Sequence, residues 1–122
     1  MLVLLVDDNL LMQQVLHHYL ESQNYTVVLA DDAASALALA QQMEFHLLLI
    51  DMRLPDMDGP QLLLALRTLP GMQRCPAIAL SGLGGADREC ALDVGFDLFL
   101  IKPVDLDVLM QALERLIDSS RP

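Results

Sequence analysis

Short apolar runs alternate along the chain with stretches whose apolar residues recur every three or four positions, and the alternation repeats through five units. Residues 2–6 are almost continuously apolar, as in a strand covered on both faces. Asn9 is placed to cap a helix running to about Gln23, with Met12, Val15, Leu16, Tyr19 and Leu20 on one side. Residues 25–30 form a second strand, and Asp31 or Asp32 begins an alanine-rich helix ending near Met43. A third strand, apolar from Leu47 onward, covers 46–50, followed by a loop over 54–59. Pro60 suits the first turn of a third helix, and Leu62, Leu63, Leu66 and Leu69 keep helical spacing up to the stop at Pro70-Gly71. A fourth strand over 76–80, a helix over 86–94 ended by Gly95, and a fifth strand over 97–101 follow. Asp105 caps a last helix carrying Leu106, Leu109, Met110, Leu113 and Leu116, and the tail from Ser119 is expected to fray.

Five consecutive strand–helix units predict an α/β fold: a doubly wound, five-stranded parallel sheet with helices on both faces. The commonest order for such a sheet is 2-1-3-4-5, with ligands bound off the carboxyl ends of strands 1 and 3. The 122 residues suit a single domain spanning 1–122, without linker or repeat. Aliphatic residues must fill the core, because aromatics make up only 4% of the chain. No apolar run approaches the roughly 18 residues of a membrane span, and the apolar start lacks a basic flank, so a cytoplasmic protein is expected. A net charge of −10 argues against direct contact with nucleic acid or an anionic membrane, and favours a metal cation or a basic protein partner. Cys75 and Cys90 are isolated and read as ordinary reduced thiols.

Charge then becomes informative by position. Asp7 and Asp8 follow the first strand, Asp51 the third, Ser81 the fourth and Lys102 the fifth, all at the edge where this sheet binds ligands. Singly, each has an ordinary explanation: Asp7-Asp8 could cap a helix, Asp51 could begin a turn, Ser81 could be a loop hydroxyl and Lys102-Pro103 a solvated pair. Their convergence outweighs these. Three clustered carboxylates repel unless a cation lies among them, and few oxygen ligands plus phosphoryl oxygens suit Mg²⁺. An ammonium and a hydroxyl around a carboxylate are what phosphoryl transfer requires, and Asp51 is the central nucleophile candidate. His17, His18 and His46 lack metal-ligand spacing. Asp56 and Asp58 read as loop carboxylates, Asp58 being the one of the two placed to approach the metal.

The segments Val6-Asp7-Asp8-Asn9, Asp51-Met52-Arg53-Leu54-Pro55-Asp56-Met57-Asp58-Gly59, Ala79-Leu80-Ser81-Gly82 and Lys102-Pro103 together resemble the receiver family of two-component signalling. The resemblance implies a flavodoxin-like fold and a phosphoacceptor role for Asp51. It implies Mg²⁺ held by Asp7, Asp8, Asp51 and the backbone carbonyl of Arg53, with Lys102 and Ser81 on the phosphoryl oxygens. It further implies a cis bond before Pro103, and a switch through Ser81 and Phe99 that alters the surface of helix 4, strand 5 and helix 5. The donor would be a phosphohistidine on a sensor histidine kinase or a histidine phosphotransfer protein, and the chain would slowly dephosphorylate itself. The stretches 79–82 and 91–97 resemble receivers of hybrid histidine kinases; such a receiver would be tethered to the membrane through its kinase.

Gly82 departs from the family's frequent alanine, residues 83–85 make a loose loop, and Phe99 stands in place of the commoner tyrosine. Two other readings compete. A haloacid-dehalogenase-type phosphatase needs a second Asp where Arg53 stands, and a flavodoxin-like flavin binder would bring a phosphate against Asp7 and Asp8.

Overall fold

The structure, a computed structural model, describes residues 1–120, with side chains described through residue 117. Five strands alternate with five helices: β1 (Leu2–Val6), α1 (Leu10–Ser22), β2 (Thr26–Ala30), α2 (Ala33–Gln42), β3 (Leu47–Asp51), α3 (Gly59–Leu66), β4 (Ala77–Ser81), α4 (Gly85–Val94), β5 (Leu98–Ile101) and α5 (Leu106–Ser120). All strand pairs are parallel and the order is β2-β1-β3-β4-β5, as the pattern predicts.

Alternation along the strands divides the apolar residues between two cores, because successive side chains leave opposite faces of a sheet. Leu4, Val6, Leu48, Ile50, Ala77 and Ala79 face α2, α3 and α4, where Ala33, Ala36, Leu62, Leu66 and Ala91 close the packing. Val3, Leu5, Leu47, Leu49, Ile78 and Leu80 meet Leu16 and Leu20 of α1 and Leu109 and Leu113 of α5. Fully burying each such leucine stabilises by about 1.5–3 kcal/mol, before the cost of ordering the chain is counted.

Local signals set the element ends. Asn9 Oδ1 accepts from the Met12 N–H at 3.0 Å, and Asn24 turns the chain into β2 at φ 72°, a conformation asparagine tolerates. Gly95 ends α4 at φ 119°. Asp105 Oδ1 accepts from the Asp107 and Val108 N–H groups at the start of α5.

Several boundaries differ from expectation, most by a single residue. Helix α3 ends at Leu66 instead of reaching Leu69: the residue before a proline avoids the helical region, and the Arg67 guanidinium instead holds the carbonyls of Met72 and Cys75 in the following turn. Asp51 and Ser81 are the last residues of β3 and β4, not the residues after them. Helix α5 continues through Ser120, so the frayed tail does not begin at Ser119; Arg121 and Pro122 lie outside the described residues.

Candidate functional site

Sheet register brings the expected residues to one rim. Val6 pairs with Ile50, Asp51 with Leu80, and Ser81 with Ile101, so Asp7, Asp51, Ser81 and Lys102 come from four adjacent strand ends. Backbone hydrogen bonds continue just past them, from Met52 N–H to Leu80 O at 2.8 Å and from Lys102 N–H to Ser81 O at 2.7 Å. The Lys102–Pro103 peptide is cis.

Asp7 and Asp51 are buried, whereas Asp8 is exposed. One carboxylate oxygen from each of the three lies within 4.8 Å of the others. Lys102 Nζ stands 2.8 Å from both Asp7 Oδ2 and Asp51 Oδ2. The remaining oxygens take backbone donors: Asp7 Oδ1 accepts from the Asn9 N–H at 2.9 Å, and Asp51 Oδ1 from the Arg53 N–H at 3.0 Å. Burial pushes the Asp51 carboxyl above the usual carboxylate range, and the Asp7 charge adds to this against the opposing pull of the Arg53 N–H and Lys102. Burial also disfavours the Lys102 ammonium, but hydrogen bonds to Asp51 and Asp7 outweigh it and raise its pKa.

These residues fit a divalent cation. Among the described residues, the buried Asp7 Oδ2 meets only the Lys102 ammonium, 2.8 Å away, which it shares with Asp51. Three carboxylates against one ammonium leave two negative charges uncompensated, and an all-oxygen ligand set suits Mg²⁺.

Other residues shape the site. The loop after β3 closes through a bridge between Arg53 and Asp58 and a 2.9 Å bond from the Gly59 N–H to Met52 O. Gly59 must be glycine, because a Cβ there would lie 2.5 Å from the Asp51 carbonyl oxygen and 2.9 Å from Met52 Cα. Asp56 accepts from the Ala33 and Ala34 N–H groups, both at 2.9 Å, tying this loop to α2. Asp58 caps α3, and the carboxylate cluster is formed by Asp7, Asp8 and Asp51.

Ser81 is buried, with its hydroxyl 2.7 Å from Asp87 Oδ2 and 3.0 Å from Leu83 O, while the Leu83 N–H donates to Ser81 Oγ at 2.9 Å. The loop expected to be loose is thus tethered at Leu83. Phe99 is half-buried against the core shared with α2, α3 and α4.

Sequence reasoning missed two polar residues. Buried Gln13 donates to the Asp7 carbonyl and, at 2.6 Å, to Asp31 Oδ1; its signal was a polar residue on the same helical face as Leu16 and Leu20. Buried Asp87 joins Ser81 to the Arg53 guanidinium, 2.7 Å away, and looked in sequence like an ordinary acid in a first helical turn.

Comparison with known proteins agrees with this geometry. Residues 3–114 match the response regulator receiver domain family. The transcriptional regulatory protein GlrR of Escherichia coli K12 is 36% identical over 122 residues, covering 98% of this chain but 27% of GlrR. The signal transduction histidine-protein kinase BarA of the same organism is 34% identical over 116 residues, covering 94% of this chain and 13% of BarA. This chain therefore spans only about a quarter or less of the length of these relatives. The receiver domain of sensor histidine kinase PA1611 from Pseudomonas aeruginosa PAO1, solved with a magnesium ion in its active site cleft, is 35% identical and superposes with a TM-score of 0.84 over 93% of this chain and 94% of its own. The helices on either face, the strand order and the acidic rim with its lysine thus have one account: this chain belongs to the response regulator receiver domain family of two-component signalling.

Proposed function

We propose that this receiver accepts a phosphoryl group on Asp51 from the phosphohistidine of a sensor histidine kinase or histidine phosphotransfer protein, with Mg²⁺ held by Asp7, Asp8, Asp51 and the Arg53 backbone carbonyl. The observation that carries the reading is the Asp51 carboxylate, buried at the end of β3, paired with Lys102 and grouped with Asp7 and Asp8. A magnesium ion is also described in the cleft of the PA1611 receiver.

The residues divide the work. The Asp51 carboxylate attacks phosphorus, the P–N bond to the donor imidazole breaks, and the imidazole leaves after taking a proton from solvent. Lys102 releases its bond to Asp51 Oδ2 and pairs with the arriving phosphoryl oxygens, a role open to a compact ammonium on a flexible stem. Mg²⁺ supplies further charge neutralisation on those oxygens. The Arg53 N–H keeps the Asp51 side chain aimed. Ser81 then donates to the phosphoryl group and Phe99 turns inward, changing the surface of α4, β5 and α5; loss of the group to water resets the switch. A guanidinium cannot act as the second acid of an aspartate-nucleophile phosphatase, so Arg53 weighs against that reading. The strongly negative chain passes its signal to a protein, not to nucleic acid.

Incubation with acetyl phosphate and Mg²⁺, followed by intact-mass measurement, tests the reading. The wild type gains one phosphoryl mass, and removing Mg²⁺ or introducing Asp51→Asn abolishes the gain. A gain that persists in Asp51→Asn defeats the site assignment.

A further inference from the structure

Asp87 is buried although its neighbours Gly85, Ala86 and Arg88 in the first turn of α4 are exposed. A buried carboxylate is retained only where it is paired, and both oxygens of Asp87 are engaged: Oδ1 by Arg53 Nη2 and Oδ2 by Ser81 Oγ, each at 2.7 Å. A serine hydroxyl has one proton to donate, and an ionised carboxylate only accepts. The competing acceptor, the Leu83 carbonyl, is neutral and farther at 3.0 Å, so the Ser81 proton is committed to Asp87. Among the described residues, Asp51 is hydrogen-bonded by the Arg53 N–H and Lys102, not by Ser81.

We propose that Asp87 is a positioning residue for phosphoryl transfer: with Arg53 it forms a latch that holds the Ser81 hydroxyl away from the phosphoryl position. The inference rests on Asp51 being the phosphoacceptor. Arg53 is the releasable end. It lies two residues past Asp51, and its side chain is 57% exposed, so it can turn without disturbing the core. An aspartyl phosphate offers about two negative charges and a planar pair of acceptors to the guanidinium, in direct competition with Asp87. Once Arg53 leaves, Asp87 is a buried charge without a counterion. The first turn of α4 then shifts to hydrate it, and the Ser81 hydroxyl is freed in the same step. A Cβ at Gly82, Gly84 or Gly85 would meet nothing within 4 Å, so the segment beside the latch has room to move.

The test follows phosphoryl uptake from acetyl phosphate and Mg²⁺ by intact mass, in the full chain and in Asp87→Asn, Arg53→Gln, their double variant, and each combined with Ser81→Ala. Charge-assisted bonds are roughly twice as strong as neutral ones, so Asp87→Asn should accelerate uptake about five-fold, while Arg53→Gln, which opens the latch but forfeits a phosphoryl partner, should accelerate it less. The double variant should be no faster than Asp87→Asn, since both changes open the same latch. In the Ser81→Ala background Asp87→Asn should no longer alter the rate, because Asp87 acts only through that hydroxyl. Unchanged or slower uptake in both single variants, or the same acceleration with and without Ser81, overturns the latch. If Asp87→Asn fails to fold, Asp87→Ser with and without Ser81→Ala gives the same decision. A wild type that gains no mass instead overturns the reading of Asp51 itself.

Discussion

Room for the Asp51 backbone depends on the absence of a single methyl group. A side chain at Gly59 would strike the Asp51 carbonyl oxygen and Met52 Cα, both backbone atoms that cannot swing aside. Gly59→Ala is therefore expected to destabilise the protein by about 1–3 kcal/mol, read as a lowered urea midpoint, and to slow phosphoryl uptake by displacing Asp51. An unchanged midpoint and rate would show that the loop absorbs the methyl group. At this scale the legibility of the site follows the sheet. Asp7, Asp51, Ser81 and Lys102 could be placed because each ends a strand or directly follows one, where position along the chain determines position on the rim. Asp87 could not, since nothing in a ten-residue helix with a mostly polar surface marks one acid as the inward one. Gln13 was obscured in the same way by its helix.

Among the elements, α2 shows how a distant loop can hold a helix. Its first N–H groups are taken by two carboxylates: Asp32 accepts from the Ser35 N–H at 2.8 Å, and Asp56 accepts from Ala33 and Ala34. Those two N–H groups hold the Asp56 carboxyl below its ordinary value of 3.8. A depressed folded pKa means that the unfolded chain binds the proton more tightly, so the stability this contact contributes is present above about pH 4 and is lost as pH falls further. Asp56→Ala should thus lower the urea midpoint at pH 7, with the gap to wild type narrowing below pH 4; a gap that stays constant into acid would exclude the carboxylate as its source. The sequence announced α2 through its alanines and Asp32, but the second cap comes from more than twenty residues away, beyond the reach of any local pattern. The early end of α3 has a similar origin. Apolar spacing continued to Leu69, but Pro70 and the grip of Arg67 on the next turn closed the helix first.

Across the whole molecule, the parallel sheet separates two apolar compartments, and the acidic rim belongs to neither. The fold was legible because five runs of aliphatic residues could be buried on both faces in only a few arrangements. Two of the chain's uncompensated negative charges are gathered on the rim, so cation binding there should couple to global stability. A ligand that binds only the folded state at 100 times its dissociation constant adds about 2.7 kcal/mol, so Mg²⁺ should raise the thermal midpoint in proportion to the logarithm of its concentration, and Asp8→Ala should largely abolish the rise. An identical rise in Asp8→Ala would place the ion elsewhere. The segment from Arg53 to Asp58 is bridged at its neck and fastened at its tip to α2 through Asp56, whereas the glycines after Ser81 border open space. An extra residue inserted in the first would break the ring that aims the acceptor, while one inserted in the second meets no wall. Evolution in this chain can therefore lengthen the approach to α4 and must conserve the span of the earlier loop, even where its side chains are free to change.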